Sequence, residues 1–182
     1  MTQRVACFTG RFQPFHNQHL EVLSALSREF NQIIIGVTNP DIENLQAHSA
    51  SQHRHTDEAN PFSFESRVKI IKESIADQSE FNRVEIDIVP FDLTDAAAWP
   101  VPAETVFALR IFSPWEASKL DLFTGQGFEV LELPAPATKL SASNIRQALE
   151  LNDSTWHSHV VPNAITTIQQ EWDQTASIKV SA

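Results

Sequence analysis

Cysteine is all but missing from this chain, with Cys7 alone among 182 residues. An internal disulfide framework is therefore excluded, and a reducing compartment, the cytoplasm, is the expected setting. Cys7 falls in an apolar run and reads as core, not as a reactive thiol. Positive charge is also scarce: 13 Lys and Arg face 23 Asp and Glu, for a formal net charge of −10. Nucleic-acid binding needs a basic face, so that class is set aside. The molecule as a whole repels anions, so an anionic ligand must be held by the few cations placed close to it. No hydrophobic run is as long as a membrane span, and no basic, apolar leader opens the chain, so no membrane segment is expected.

What remains is an ordinary composition for a soluble protein, 42% hydrophobic and 20% charged, at a length that suits one domain. That domain is taken as residues 1–172, with 173–182 as a tail. Arg4 to Thr9 reads as a buried strand, and from about Asn17 the residues Leu20, Leu23, Leu26 and Phe30 recur at helical spacing. Gln32 to Thr38 is a continuous apolar run, as in a strand covered on both faces. Strand, helix, strand in close succession is a parallel unit with a right-handed crossover.

Segment 39–60 is long, polar and aperiodic, the pattern of a functional or disordered loop. Its His48, His53 and His55 follow no zinc spacing, so no dedicated metal site is expected. Ser63 is a candidate cap for a helix with Phe64, Val68, Ile71 and Ile75 on its apolar face, and Arg67 points off that stripe. Val84 to Val89, Thr105 to Ser113 and Glu129 to Leu133 read as further strands, with Pro114 to Thr124 a helix opened by proline. Five strands alternating with helices give an α/β fold, a Rossmann-like, doubly wound parallel sheet in a single domain.

One stretch organises the rest: GRFQPFHNQHL, Gly10 to Leu20. It joins the first strand to the first helix through a glycine-bearing turn. Free N–H groups and partial positive charge at a helix start attract anions. His16 and His19 sit three residues apart there, on one helix face, and Arg11 adds a planar fork of donors. LSASNIRQALE, Leu140 to Glu150, supplies a second helix start, which Ser143 can cap and where Ser141, Ser143 and Arg146 converge.

GRFQPFHNQH resembles the GRFQPFHxGH signature of the archaeal-type nicotinamide-nucleotide adenylyltransferases, within the wider HxGH nucleotidylyltransferase superfamily. SASNIR resembles the superfamily's second signature, of the type (S/T)x(S/T)xIR. The resemblance implies that ATP, with Mg²⁺, and nicotinamide mononucleotide react to give NAD and pyrophosphate. It implies His16 at the phosphate under attack, His19 at the charge passing to pyrophosphate, and Arg11 and Arg146 on the β- and γ-phosphates. Gly10, Phe12, Gln13, Gln18, Ser141 and Ser143 are implied in ATP binding. HTDEANPFSFESR resembles the family's HTxxNPFTxxER segment, which implies Arg67 on the substrate side. PFDLTDAAAW, Pro90 to Trp99, resembles a stretch whose aspartate and nicotinamide-stacking tryptophan match Asp92 and Trp99. WHSHVVPNAITTI, Trp156 to Ile168, resembles the closing helix, so His157 and His159 are structural. Relatives of this kind commonly assemble, which leaves a homo-oligomer open.

Two stretches depart from the pattern. Gln18 replaces the motif glycine, and either swings out to solvent or intrudes on the nucleotide. Ser113-Pro114-Trp115 replaces a Ser-Gly-Asn-Pro turn, removing an N–H donor and adding an indole. Three readings therefore stand: the NAD-forming adenylyltransferase, a nucleotidylyltransferase for another phosphate ester, and a non-catalytic nucleotide-binding homologue.

Overall fold

The computed structural model describes residues 4–41 and 59–181, so His48, His53, His55 and most of the 39–60 segment lie outside the described residues. The chain runs β1 (Val5–Gly10), α1 (Asn17–Leu26), β2 (Gln32–Thr38), α2 (Phe64–Ile75), β3 (Glu85–Phe91), β4 (Val106–Leu109), α3 (Pro114–Gly125), β5 (Glu129–Glu132), α4 (Ala142–Glu150) and α5 (Ile165–Ser181). The five strands form one sheet in the order β3-β2-β1-β4-β5, and every neighbouring pair is parallel. Cys7 sits at its centre, level with Ile34 on one side and Phe107 on the other.

Two apolar layers sandwich the sheet. One joins Leu23 and Leu26 of α1, Ile70 and Ile71 of α2, Ile145 and Leu149 of α4, and Ile168 of α5. The other holds Cys7, Phe91, Trp99 and Phe107 against Phe123 of α3. Phe107 and Phe123 stack with ring centroids 3.9 Å apart. Each large side chain so buried contributes about 1.5–3 kcal/mol. Helices on both faces make the sheet doubly wound, with the strand order reversing between β1 and β4. A crevice opens beyond the carboxyl ends of the strands at such a reversal. No described helix is long and apolar enough to cross a membrane.

Several boundaries differ from the sequence expectation for physical reasons. β3 runs on through Pro90 to Phe91, because it pairs with β2 only and an edge strand tolerates a missing N–H. β4 stops at Leu109 rather than Ser113, and the chain then turns along the crevice. The expected helix over Trp156–Ile168 is instead two 3₁₀ turns, Ser154–His159 and Pro162–Ala164, followed by α5. Pro162 can open a helix but cannot lie inside one. α5 continues through residues that the sequence reading set apart as a tail, and Thr175 Oγ1 donates to Pro61 O at 3.1 Å.

Candidate active site

A cleft of about 310 Å³ lies where β1 and β4 diverge, lined by the GRFQ turn, the start of α1, the segment after β4, α3 and the start of α4. The turn is built from the inside. A Cβ on Gly10 would stand 2.7 Å from the Phe12 ring, so only glycine lets that ring tuck beneath the strand. Phe12 takes a positive φ of 51° and is 2% exposed. Its ring packs edge-on to His19 at 5.0 Å. Gln13 is equally hidden: its amide donates to Phe62 O and accepts from Phe62 N–H, both at 2.9 Å. Phe12 and Gln13, expected at the nucleotide, both line the cleft. Their side chains brace the turn, and their residues border the cleft only at its wall.

His16 precedes α1 in an extended conformation, and its N–H donates to Nδ1 of His19 at 3.2 Å. The imidazoles stack, 3.5 Å apart and 17° from parallel. Burial pushes the pKa of His16 down to about 3. Burial, then coupling to the His16 ring and the charges of Lys139, Arg110 and Lys119, hold that of His19 well below its usual range. Both rings are therefore neutral at physiological pH. Because Nδ1 of His19 accepts, its proton belongs on Nε2, which makes that nitrogen a donor.

At α4, Ser141 rather than Ser143 is the cap: Ser141 Oγ accepts from Ser143 N–H at 3.3 Å. Ser143 Oγ accepts from Arg146 Nη2 at 3.1 Å, and Arg146 Nη1 donates to Gln13 O at 2.7 Å. Arg146 therefore ties the second signature to the first. It is 9% exposed, lies off the cleft wall, and borders a neighbouring cavity with Pro61 and Trp172. Arg11 does line the cleft, with Nη1 donating to Ala59 O at 3.2 Å.

Gln18 lines the cleft, and its side chain stays there rather than swinging out to solvent. Its amide donates to Thr138 O and accepts from Leu140 N–H, both at 2.8 Å, clamping the segment that leads into α4 against α1. Arg67 is fully buried, where the sequence put it off the apolar stripe and on the substrate side. It donates to the carbonyls of Ser63, Arg11, Thr38 and Asn39. Burial lowers its pKa to about 10, which leaves it a cation. Asp92 is exposed, and its carboxylate accepts from Thr94 N–H and Oγ1 in a local turn. Trp99 is 8% exposed, ringed by Phe91, Phe107, Phe123 and Phe128, with Nε1 donating to Asp92 O at 2.7 Å. Neither lines the cleft; Leu93 does so from that loop.

The sequence reading passed over several wall residues: Arg110, Phe112, Glu116, Lys119 and Lys139, with Trp115 noted only as a departure. Lys139 pairs with Glu116 at 2.9 Å and lies 4.9 Å from the Phe112 ring. Burial raises the Glu116 pKa, but bonds from Ser113 and Lys139 outweigh it and keep the carboxyl below its ordinary range. The available signal was Lys119, one helical turn before the buried Phe123 and hence on an apolar face. Among the described residues the cleft wall carries Arg11, Arg110, Lys119 and Lys139 against Glu116 alone as an acid. A chain of net charge −10 thus concentrates cations in one crevice. No group of three His, Cys, Asp or Glu suited to a metal occurs among the described residues.

Known proteins resemble this chain in sequence and in structure. The phosphonoformate cytidylyltransferase of Streptomyces viridochromogenes is 26% identical over 89% of this chain and 88% of its own. The nicotinamide-nucleotide adenylyltransferase of Ignicoccus hospitalis is 32% identical over 91% of each. In structure, a bifunctional NMN adenylyltransferase/ADP ribose pyrophosphatase from Francisella tularensis superposes with a TM-score of 0.64 at 16% identity, covering 97% of this chain and 54% of that longer one. A nicotinate-nucleotide adenylyltransferase homologue from Vibrio parahaemolyticus gives a TM-score of 0.58 at 14% identity, over 93% of this chain and 99% of that one. The structural likenesses establish the fold. The cytidylyltransferase-like family model matches residues 7–148, and with both helix starts of the cleft inside or at the edge of that span, the chain belongs to this family of nucleotidyltransferases.

Proposed function

We propose that the protein transfers a nucleotidyl group from a nucleoside triphosphate to the phosphate of a small acceptor, with ATP and nicotinamide mononucleotide as the leading pair and NAD and pyrophosphate as products. The observation that carries this reading is the bond from Arg146 to Gln13 O, which holds the two helix N-termini at one cleft. The acceptor's phosphate is already an anion at neutral pH, with a second pKa of about 6. One of its oxygens attacks the α-phosphorus, a new P–O bond forms, the bond to the bridging α–β oxygen breaks, and pyrophosphate leaves with that oxygen. No protein nucleophile or strong base is needed, so catalysis is positioning and charge stabilisation.

His19 Nε2–H donates to an α-phosphoryl oxygen or to the bridging oxygen as negative charge gathers there, and His16 shares the task from the stacked ring. Neutral imidazoles suit this role, since their hydrogen bonds strengthen only as the charge develops. Arg11 and the first-turn N–H groups of α1 and α4 hold the remaining phosphates, with Ser141 and Ser143 at the second helix start. Arg146 fixes that start against the first signature. Mg²⁺ is read as arriving on the triphosphate, because Glu116, the cleft's one described carboxylate, is already bonded to Ser113 and Lys139.

A second reading is favoured by the burial of Trp99 away from the cleft wall, on which Phe112 and Trp115 supply the aromatic surface. In that reading the acceptor is another phosphate ester or a phosphonate, and the donor is CTP or ATP. Pyrophosphate release, measured for ATP, CTP, GTP and UTP against nicotinamide mononucleotide, phosphonoformate and simple phosphate esters, decides. NAD from ATP and nicotinamide mononucleotide is the expected result. Release only with another pair selects the second reading, and binding without any release leaves a non-catalytic homologue.

A further inference from the structure

The cleft contains a buried lysine that the transfer chemistry above does not use. Lys119 projects from α3, is 6% exposed, and donates from Nζ to Thr9 O at 3.0 Å. A residue needed only to fill the space between α3 and β1 would do so at lower cost as an apolar side chain, because a buried ammonium loses its hydration. Its charge is directed at the reacting region: it contributes to the lowered pKa of His19 on the other side of the strand. The second observation is Thr9 itself. Its Oγ1 is buried and has no hydrogen-bond partner, on a residue that is 4% exposed and lines the same cleft. A hydroxyl hidden from water without a partner is costly, and a ligand oxygen removes that cost.

The placement separates this pair from the triphosphate clamp. Thr9 shares the strand face of Val5 and Cys7, which packs on Phe123 of α3. The starts of α1 and α4 belong to the opposite layer. An in-line transfer needs the incoming and departing oxygens on opposite sides of the α-phosphorus. With pyrophosphate held on the α1–α4 side, the incoming group enters from the α3 side, where Lys119 and Thr9 stand.

From this geometry we infer that Lys119 and Thr9 form the anion subsite for the acceptor, gripping its phosphate or phosphonate oxygens beside His19. The inference rests on the nucleotidyl-transfer reading for its biological meaning, but its test does not depend on turnover. Inorganic phosphate is the probe, titrated calorimetrically into protein already saturated with pyrophosphate. The wild type takes up phosphate beside pyrophosphate, and Lys119→Met weakens that uptake at least ten-fold while pyrophosphate affinity changes less than three-fold. Thr9→Val, which removes only the hydroxyl, weakens it several-fold, and it carries the test if Lys119→Met fails to fold by circular dichroism. In turnover, both variants raise the acceptor KM far more than the nucleotide KM. A folded variant of either kind that binds phosphate as the wild type does overturns the inference. So does a wild type that takes no phosphate beside pyrophosphate, or a Lys119→Met enzyme whose loss lies in nucleotide KM. Failure of the transfer reading shows separately, as no pyrophosphate release from any nucleotide and acceptor.

Discussion

Gln18 connects residues 120 or more positions away in sequence, Thr138 and Leu140, through one side-chain amide. Replacing it with the glycine of the resembling signature removes both bonds, about 1–3 kcal/mol together, and about 1 kcal/mol of helix propensity in α1. The Gln18→Gly protein is therefore expected to melt several degrees lower. Its nucleotide KM should rise, because Ser141 follows directly from the released segment; a lower KM would mean that the side chain obstructs the cleft. Arg67 makes a different prediction. Arg67→Met removes the side-chain hydrogen bonds to four carbonyls, of which Ser63 O keeps the backbone N–H of residue 67, at a cost on the order of 3–5 kcal/mol by urea unfolding. A loss below about 1 kcal/mol would return Arg67 to the substrate. His19→Ala should lower kcat by ~10²-fold or more with little change in nucleotide affinity, as expected for a donor that acts chiefly in the transition state. A collapse of affinity at unchanged kcat would make His19 a ground-state contact.

At the scale of the element, the start of α1 carries two stacked, neutral histidines, and that has a consequence for stability. Their folded pKa values lie below the ordinary 6.5, with His16 at about 3, so below pH 6.5 the unfolded chain binds protons that the folded one refuses. The stabilisation from this helix start is complete above pH 6.5 and is lost as pH falls, at about 1.4 kcal/mol per unit for His16, with His19 acting in the same direction. From pH 7 to pH 5 the loss at His16 is about 2 kcal/mol, and His19 adds to it in the same direction. The depressed carboxyls Glu116 and Glu171 begin to cost stability only near 4.5, so the interval above 5 isolates the imidazoles. Urea unfolding of wild type and His16→Asn/His19→Asn at both pH values checks this, and an equal slope in the two proteins would contradict it. Elements governed by local chemistry were legible in the sequence. Gln32–Thr38 was bounded correctly by its Ile-rich run, and Ser63 caps α2 as read, with its Oγ accepting from Ser66 N–H. What escaped depends on distant partners. Arg67 looked exposed because the carbonyls that bury it come from the β1 turn and the end of β2. Trp99 matched a stacking position, yet three phenylalanines from β3, β4 and α3 draw it into the core. Ser143 looked like the cap because Ser141 and Ser143 differ only in backbone dihedrals that the sequence does not display.

At the scale of the whole molecule, two electrostatic ranges oppose each other. The net charge of −10 repels a nucleoside triphosphate from afar, while Arg11, Arg110, Lys119 and Lys139 attract it inside the cleft. These interactions respond differently to salt. The Debye length falls from about 30 Å at 0.01 M to about 8 Å at 0.15 M, so the long-range repulsion is largely screened across that interval. Contacts within the cleft are partly buried and are screened much less. The association rate for a nucleoside triphosphate should therefore rise with added salt over this range, opposite to the behaviour of a protein steered by positive charge. The dissociation rate should change less, since it reports the contacts inside the cleft. Stopped-flow measurement with a fluorescent triphosphate analogue, titrated with potassium chloride at constant Mg²⁺, gives both rates. An association rate that falls steeply with salt would mean that the four cleft cations project well beyond the surface and that the acidic exterior does not govern encounter. In that event Lys139→Gln, which removes an exposed cation at the rim, should flatten the salt dependence more than Lys119→Met, whose charge lies at the floor.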